Sequence, residues 1–301
     1  MTQPVPPILY KYMSTDRESF FEKPQLRFTP SDKFKALYEC APKTKAVINP
    51  LGTKQKIIEQ STRLSSWITE DAPFFQSGFG KAFISRAIDA LQELPAKLIE
   101  DNTPLVETQE GQSAANSILG SHLYKIPHGV LCLTSDPANA IMWEQYAKGF
   151  WGGHCGFVAG FDTTHSFFHR QTDHDKMLGV LAPVCYPQYE ELPCFNDLFF
   201  GDEDNTTKNI FFTKDPHLAY EKEWRIVTRL KKTEEQPRSD IEDIPPAAIK
   251  EIYLGVKACE SLLNTANIFC NKFEIDLFRM VKSSSGRLVP EQIVDVKGCQ
   301  Q

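Results

Sequence analysis

Tyr220-Glu221-Lys222-Glu223-Trp224-Arg225-Ile226-Val227 alternates polar and apolar side chains almost without a break. Successive side chains of a β-strand point to opposite faces, so a period of two reads as a half-buried strand. On that reading Tyr220, Trp224 and Ile226 share one face, and Glu221, Glu223 and Arg225 share the other. Two carboxylates two positions apart on a strand stand roughly 7 Å apart, about twice the rise per residue. Such spacing suits work on a sugar. One carboxylate can hold a ribose hydroxyl and stabilise an oxocarbenium-like centre while the other orients a nucleophile, a division of labour that glycoside chemistry also uses. The same alternation fits a solvated strand face carrying cross-strand ion pairs, and these eight residues leave both readings open.

Working outward, further short strands are expected at Ile8–Tyr12, Leu26–Thr29, Val130–Thr134, Cys155–Val158, Gly179–Tyr186 and Ile249–Leu254, from their aromatic and branched content. Ser14-Thr15-Asp16 is expected to cap a short helix through Phe21. Ser135-Asp136-Pro137 is expected to open another, with Pro near the first turn, where a missing N–H costs nothing. Cys259–Cys270 reads as a third helix, and Asn196–Asn205 and Lys231–Asp243 read as surface loops. Between these, residues 50–125 change character. Gln55–Ile68 and Phe79–Leu94 place apolar residues at helical spacing, which predicts a helical insertion. The expected fold class is therefore α+β, with a mixed or antiparallel β core built from residues 1–49 and 126–280. Residues 50–125 form the insertion and residues 281–301 a C-terminal tail with a final short strand or coil.

Composition narrows the function classes. Among 301 residues, 33 Lys+Arg against 39 Asp+Glu give a net charge of −6, which argues against a dedicated nucleic-acid binder with a basic face. Hydrophobic residues make up 41%, an ordinary globular share. No apolar run approaches the roughly 18 residues that span a bilayer, so no integral membrane protein is expected. The opening residues lack a basic and then apolar leader, so a cleaved secretory signal is not expected. Eight cysteines without a CxxC pair suit neither a disulfide framework nor a zinc site, and they point to a reducing cytosol.

Other stretches carry possible chemistry. Thr134 and Ser135 stand at a strand-to-helix junction, where hydroxyls and helix N–H groups can hold a phosphate or ribose, or merely cap the helix. Trp143 and Tyr146, three apart on one helical face, would make a wall for a flat cationic ring, or fill the core. The glycine-rich run Gly149–Gly160 has neither a GxGxxG opening a helix nor a GxxxxGK[ST], so tight turns and close packing explain it better. His165, His169 and His174, with Asp162, Asp173 and Asp175, are a weak candidate for a metal-dependent hydrolase, because HxxxH lacks the Glu of HExxH. No metal is expected.

Taken in order, LYKY (Leu9–Tyr12), LRFTP (Leu26–Pro30), LCLTSDPANAIMWEQYA (Leu131–Ala147), GFD (Gly160–Asp162), YEKEWRIV (Tyr220–Val227) and IKEIYLG (Ile249–Gly255) resemble a large bacterial domain family of unassigned function. That family in turn resembles divergent ADP-ribosyltransferases. Their pattern has three stations: an Arg or His after an aromatic on a first strand, a Ser/Thr or Tyr station later, and a catalytic Glu, often as ExE when arginine is the acceptor. The resemblance implies an ADP-ribosyltransferase-like core that takes NAD as substrate and a protein as acceptor. Glu223 would be the catalytic glutamate on the nicotinamide ribose, and Glu221 would position the acceptor. Lys11 and Tyr12 at the first station, with Arg27, Thr134, Ser135, Trp143 and Tyr146, would hold NAD. Lys11 departs from the expected Arg or His, and Arg27 could share its task. The resemblance also implies a toxin, defence factor or translocated effector, acting in the cytoplasm or in a host cytosol. A catalytically inactive nucleotide sensor or interaction module is the alternative.

Overall fold

The computed structural model describes residues 3–34, 128–170, 178–192, 203–230 and 240–293, so the expected helical insertion lies outside the described residues. The chain divides into two compact units. One comprises Met1–Ala41, Leu123–Pro187 and Ile210–Gln301, and the other Pro42–His122 and Gln188–Asn209. In the second, the described residues hold a 3-10 turn at Tyr189–Glu191 and the start of a helix, Glu203–Phe211, that ends in the first unit.

The first unit opens with β1 (Ile8–Met13), a 3-10 helix (Thr15–Phe21), β2 (Gln25–Arg27) and β3 (Thr29–Pro30). After the second unit's first segment come β4 (His128–Thr134), α1 (Ala140–Gln145), β5 (Phe157–Asp162) and β6 (Leu181–Pro183). Helix α2 (Glu203–Phe211), a 3-10 helix (Pro216–Glu221) and β7 (Glu223–Arg229) follow. The chain then runs through β8 (Ile241–Asp243), β9 (Ile249–Leu254), α3 (Glu260–Phe273), β10 (Asp276–Lys282) and β11 (Leu288–Gln292). Among the described residues one large sheet runs β11-β10-β9-β5-β1-β4-β7-β6, with β3 also on β4, while β2 and β8 pair apart. Pairing is antiparallel except between β9 and β10, where α3 makes the crossover that parallel strands need. The fold is thus α+β with a mostly antiparallel open sheet. No described helix is long and apolar enough to cross a membrane.

One face of the sheet is apolar. Leu9, Met13, Leu131, Leu133, Phe161, Trp224 and Ile226 pack there with Phe20 and Phe21 of the first 3-10 helix and Phe269 of α3. On the opposite face Tyr12, Val158, Tyr253 and Met280 meet Met142 and Trp143 of α1.

Several expectations are corrected. The stretch Tyr220–Thr228 is not one strand: Pro216 and the Asp215 cap, which accepts from the His217 N–H at 3.1 Å, start a 3-10 helix, and β7 begins only at Glu223. Tyr220 consequently packs with the cluster around Trp143, away from Trp224. The helix expected from Ser135 begins later, capped by Asn139, whose side chain accepts from Ile141 and Met142 N–H groups at 3.0 and 3.2 Å. Asp136 instead closes a turn by accepting the Ala138 N–H at 3.0 Å. Ser14 makes no side-chain cap on the first 3-10 helix; the Arg17 N–H donates to the Ser14 backbone carbonyl instead, at 3.0 Å. The expected tail from residue 281 is, through Gln292, the end of β10 and all of β11, an antiparallel hairpin on the sheet.

Candidate functional site

β1 and β4 meet at one registered pair only, Tyr10 opposite Thr134. Beyond it β1 leaves, and β3 takes over the same edge of β4 at Val130 and Gly129. Between the two contacts the Lys11 amine donates to the Cys132 carbonyl at 2.9 Å. Lys11 thereby bridges a seam in the sheet. Its register opposite Ala159 puts it on the face of Leu9 and Met13, not with Tyr10 and Tyr12.

At the same seam a polar row crosses three adjacent strands. Tyr10 pairs with Thr134, and Thr134 with Glu223. One step on, Cys132 pairs with Arg225, so β7 sends Glu223 and Arg225 to the face opposite Trp224 and Ile226. On that face Arg225 grips Glu223 twice, Nε to Oε1 at 2.7 Å and Nη2 to Oε2 at 3.2 Å, and donates to the Phe211 carbonyl at 2.6 Å. Lys214 Nζ lies 3.0 Å from Glu223 Oε2 and also bonds Glu221 Oε2. Glu221 arrives from the 3-10 helix because Lys222 takes the left-handed conformation, φ 44° and ψ 48°, and swings the chain into β7. All four charged side chains are buried, with Glu221 4%, Glu223 6%, Lys214 4% and Arg225 0% exposed.

Burial opposes the charge on Glu223. The Arg225 and Lys214 cations outweigh it and hold the carboxyl down to about 2. The Cys132 thiol beside it is pushed up by desolvation and by the Glu223 charge, so it is a protonated donor, not a nucleophile. Burial pushes the Tyr186 phenol up to about 12, with the Glu223 charge adding to it, although its oxygen accepts the Glu223 N–H at 3.0 Å.

The remaining predicted residues fall in three groups. Tyr146 reaches the site, donating its hydroxyl to Glu221 Oε1 at 2.9 Å while 44% exposed. Thr134 donates to the Glu221 carbonyl at 2.6 Å and accepts the Asp136 N–H, and the Ser135 N–H donates to the Lys222 carbonyl at 3.2 Å. Tyr12 and Trp143 belong to the core: Tyr12 donates to the Asp136 carbonyl at 2.9 Å, and Trp143, fully buried, donates to the Pro137 carbonyl at 2.8 Å. Trp143 is therefore no open ring wall. Arg27 stands apart, half-exposed in the small β2–β8 sheet and paired with Asp240 at 2.8 Å. His165 caps a 3-10 turn by accepting the Phe167 N–H at 3.2 Å, and His174 lies outside the described residues. Among the described residues no group of three or more His, Cys, Asp or Glu converges as a metal site would require.

Sequence reasoning singled out neither Lys214 nor Tyr186, and it placed Arg225 only on a strand face. The available signal for Lys214 was weak, a lone Lys between aromatics and a Pro-led turn. Compared with protein-family models, curated proteins and solved structures, the chain gives no match.

Proposed function

We propose that the chain is an NAD-dependent mono-ADP-ribosyltransferase that modifies a protein side chain, with arginine as the acceptor the Glu221-x-Glu223 spacing favours. One observation carries this reading. Residues from three separate segments, Tyr10, Thr134 and Glu223, align in one row across β1, β4 and β7, beside the seam where β1 and β4 part. Thr134 and Glu223 are the second and third stations of the resemblance, while Lys11 of the first station lies on the other face of β1.

In the proposed reaction the bond between the ribose C1′ and nicotinamide breaks, and nicotinamide leaves with the bonding pair. Glu223, kept ionised by Arg225, accepts from the ribose 2′-hydroxyl and stabilises the positive charge growing on the sugar. Preorganised charge of this kind is worth several kcal/mol in a water-poor site. The acceptor nitrogen attacks C1′ from the far side and gives its proton to Glu221, which the Tyr146 hydroxyl orients. The reaction would run in a reducing cytosol, that of the producing cell or that of a host.

A second reading draws on the ion pairs. Both carboxylates are held by cations and nearly closed to solvent, as a structural network or an inactive nucleotide-sensing module would also have them. Incubating the full chain with NAD labelled in its adenylate half and a cell lysate separates the readings. Label on a lysate protein, lost in a folded Glu223→Gln variant, is the expected result. NAD binding with no label transferred, or full activity in Glu223→Gln, overturns the transfer reading.

A further inference from the structure

We infer that Lys214 is a positioning residue of this site, an internal counter-ion that clasps Glu221 to Glu223 and presents the two carboxylates as one ionised pair. The inference rests on the transfer reading for what the pair does, but not for the clasp itself. The backbone at Lys214 is anchored before its side chain is used. Its N–H donates to the Cys185 carbonyl at 2.9 Å, and the Cys185 N–H donates back to the Phe212 carbonyl at 2.7 Å. From this fixed point the chain turns through the 3-10 helix, passes left-handed Lys222 and enters β7, so the ammonium faces both acids its own loop delivers.

The two cations are not equivalent. Arg225 shares β7 with Glu223 and grips it in a fork, whereas Lys214 bonds one oxygen of each acid. Among the described residues, the other groups facing the pair are Cys132 and Thr134 from β4, Tyr146 beyond α1 and Tyr186 beyond β6. None of these is a cation. Without Lys214, two buried acids that one ammonium had bridged share, among the described residues, the single charge of Arg225, and like charges so placed favour a proton on one of them. A proton on either acid would remove the group needed to stabilise the sugar cation or to take the acceptor's proton. A buried ion pair is poor value as a source of stability alone, which fits a device for presenting charge.

The test uses the full chain with 13C-labelled glutamate carboxyls. In Lys214→Met, one carboxyl of the pair is expected to titrate about 1 to 3 pH units higher than in the wild type, and Lys214→Arg is expected to bring it back. Label transfer at saturating NAD should fall at least about tenfold in Lys214→Met, with little change in NAD affinity and with the acid limb of the pH profile moved up by the same amount. Should neither carboxyl move in Lys214→Met, the inference is wrong, whatever the transfer assay gives. If the carboxyl moves but the wild type transfers no label, the clasp stands and the transfer reading falls. Where Lys214→Met fails to fold, Lys214→Met/Glu221→Gln, which removes the like-charge conflict, is expected to fold. A double variant no more stable than the single one overturns the clasp.

Discussion

Glu223 shows how opposing terms are decided at a single residue. Desolvation pushes its carboxyl toward the neutral form, but the bidentate Arg225 and the Lys214 ammonium win and hold it ionised. A carboxyl depressed on folding contributes stability above its unfolded value near 4.5, and that contribution is lost as pH falls toward about 2. The stability gap between wild type and Glu223→Gln, read from denaturant midpoints, is therefore expected to be full near neutrality and to narrow between those limits. Arg225→Met leaves the carboxylate buried with one cation in place of two. A loss of about 3–5 kcal/mol is expected, the usual result of breaking a buried pair, and differential denaturation would measure it. Tyr146→Phe removes a donor to the buried Glu221 carboxylate, so a stability loss of about 1–3 kcal/mol in denaturant melts is expected beside lower transfer to the acceptor.

At the scale of elements, the site depends on two breaks in regular structure. The first is Lys222. A lysine in the left-handed region costs roughly 1–2 kcal/mol that glycine avoids. Lys222→Gly is expected to match or exceed wild-type stability, and Lys222→Ile to lose at least about that cost, in parallel thermal melts. The alternation of Tyr220–Val227 gave no hint of this turn, since neither Gly nor Asn marks it. The strand half of that stretch was legible: Trp224 and Ile226 go to the apolar core, and Glu223 and Arg225 to the other face, as a period of two requires. The second break is the seam between β1 and β4. Lys11→Met removes the donor to the Cys132 carbonyl, at an expected cost of about 1–3 kcal/mol by the same melts. Nothing local to LYKY could reveal that role, because it exists only once β3 and β1 share one edge of β4.

Over the whole first unit, stability is expected to be uneven. β5 and β9 are paired on both edges through the middle of the sheet, whereas β4, continuous with β7 on one edge, meets β1 and β3 on the other only at its two ends. Hydrogen exchange should find the slowest amides in β5 and β9, and a faster one at Cys132 than at Val130 or Thr134. Equal protection along β4 would contradict the seam.

By itself the sequence determined the α+β class, most of the core strands, the helix near Cys259–Cys270 and the placing of Glu223 and Arg225 opposite Trp224 and Ile226, since all of these follow from periodicities of two and 3.6 read over a few residues. Only the tertiary structure decided which groups meet Glu221 and Glu223. Tyr146 lies 75 positions from Glu221, and Lys214 meets both acids only through the left-handed turn at Lys222, which no residue type announces. Such meetings depend on strand register and chain reversal, and local side-chain pattern carries no record of either.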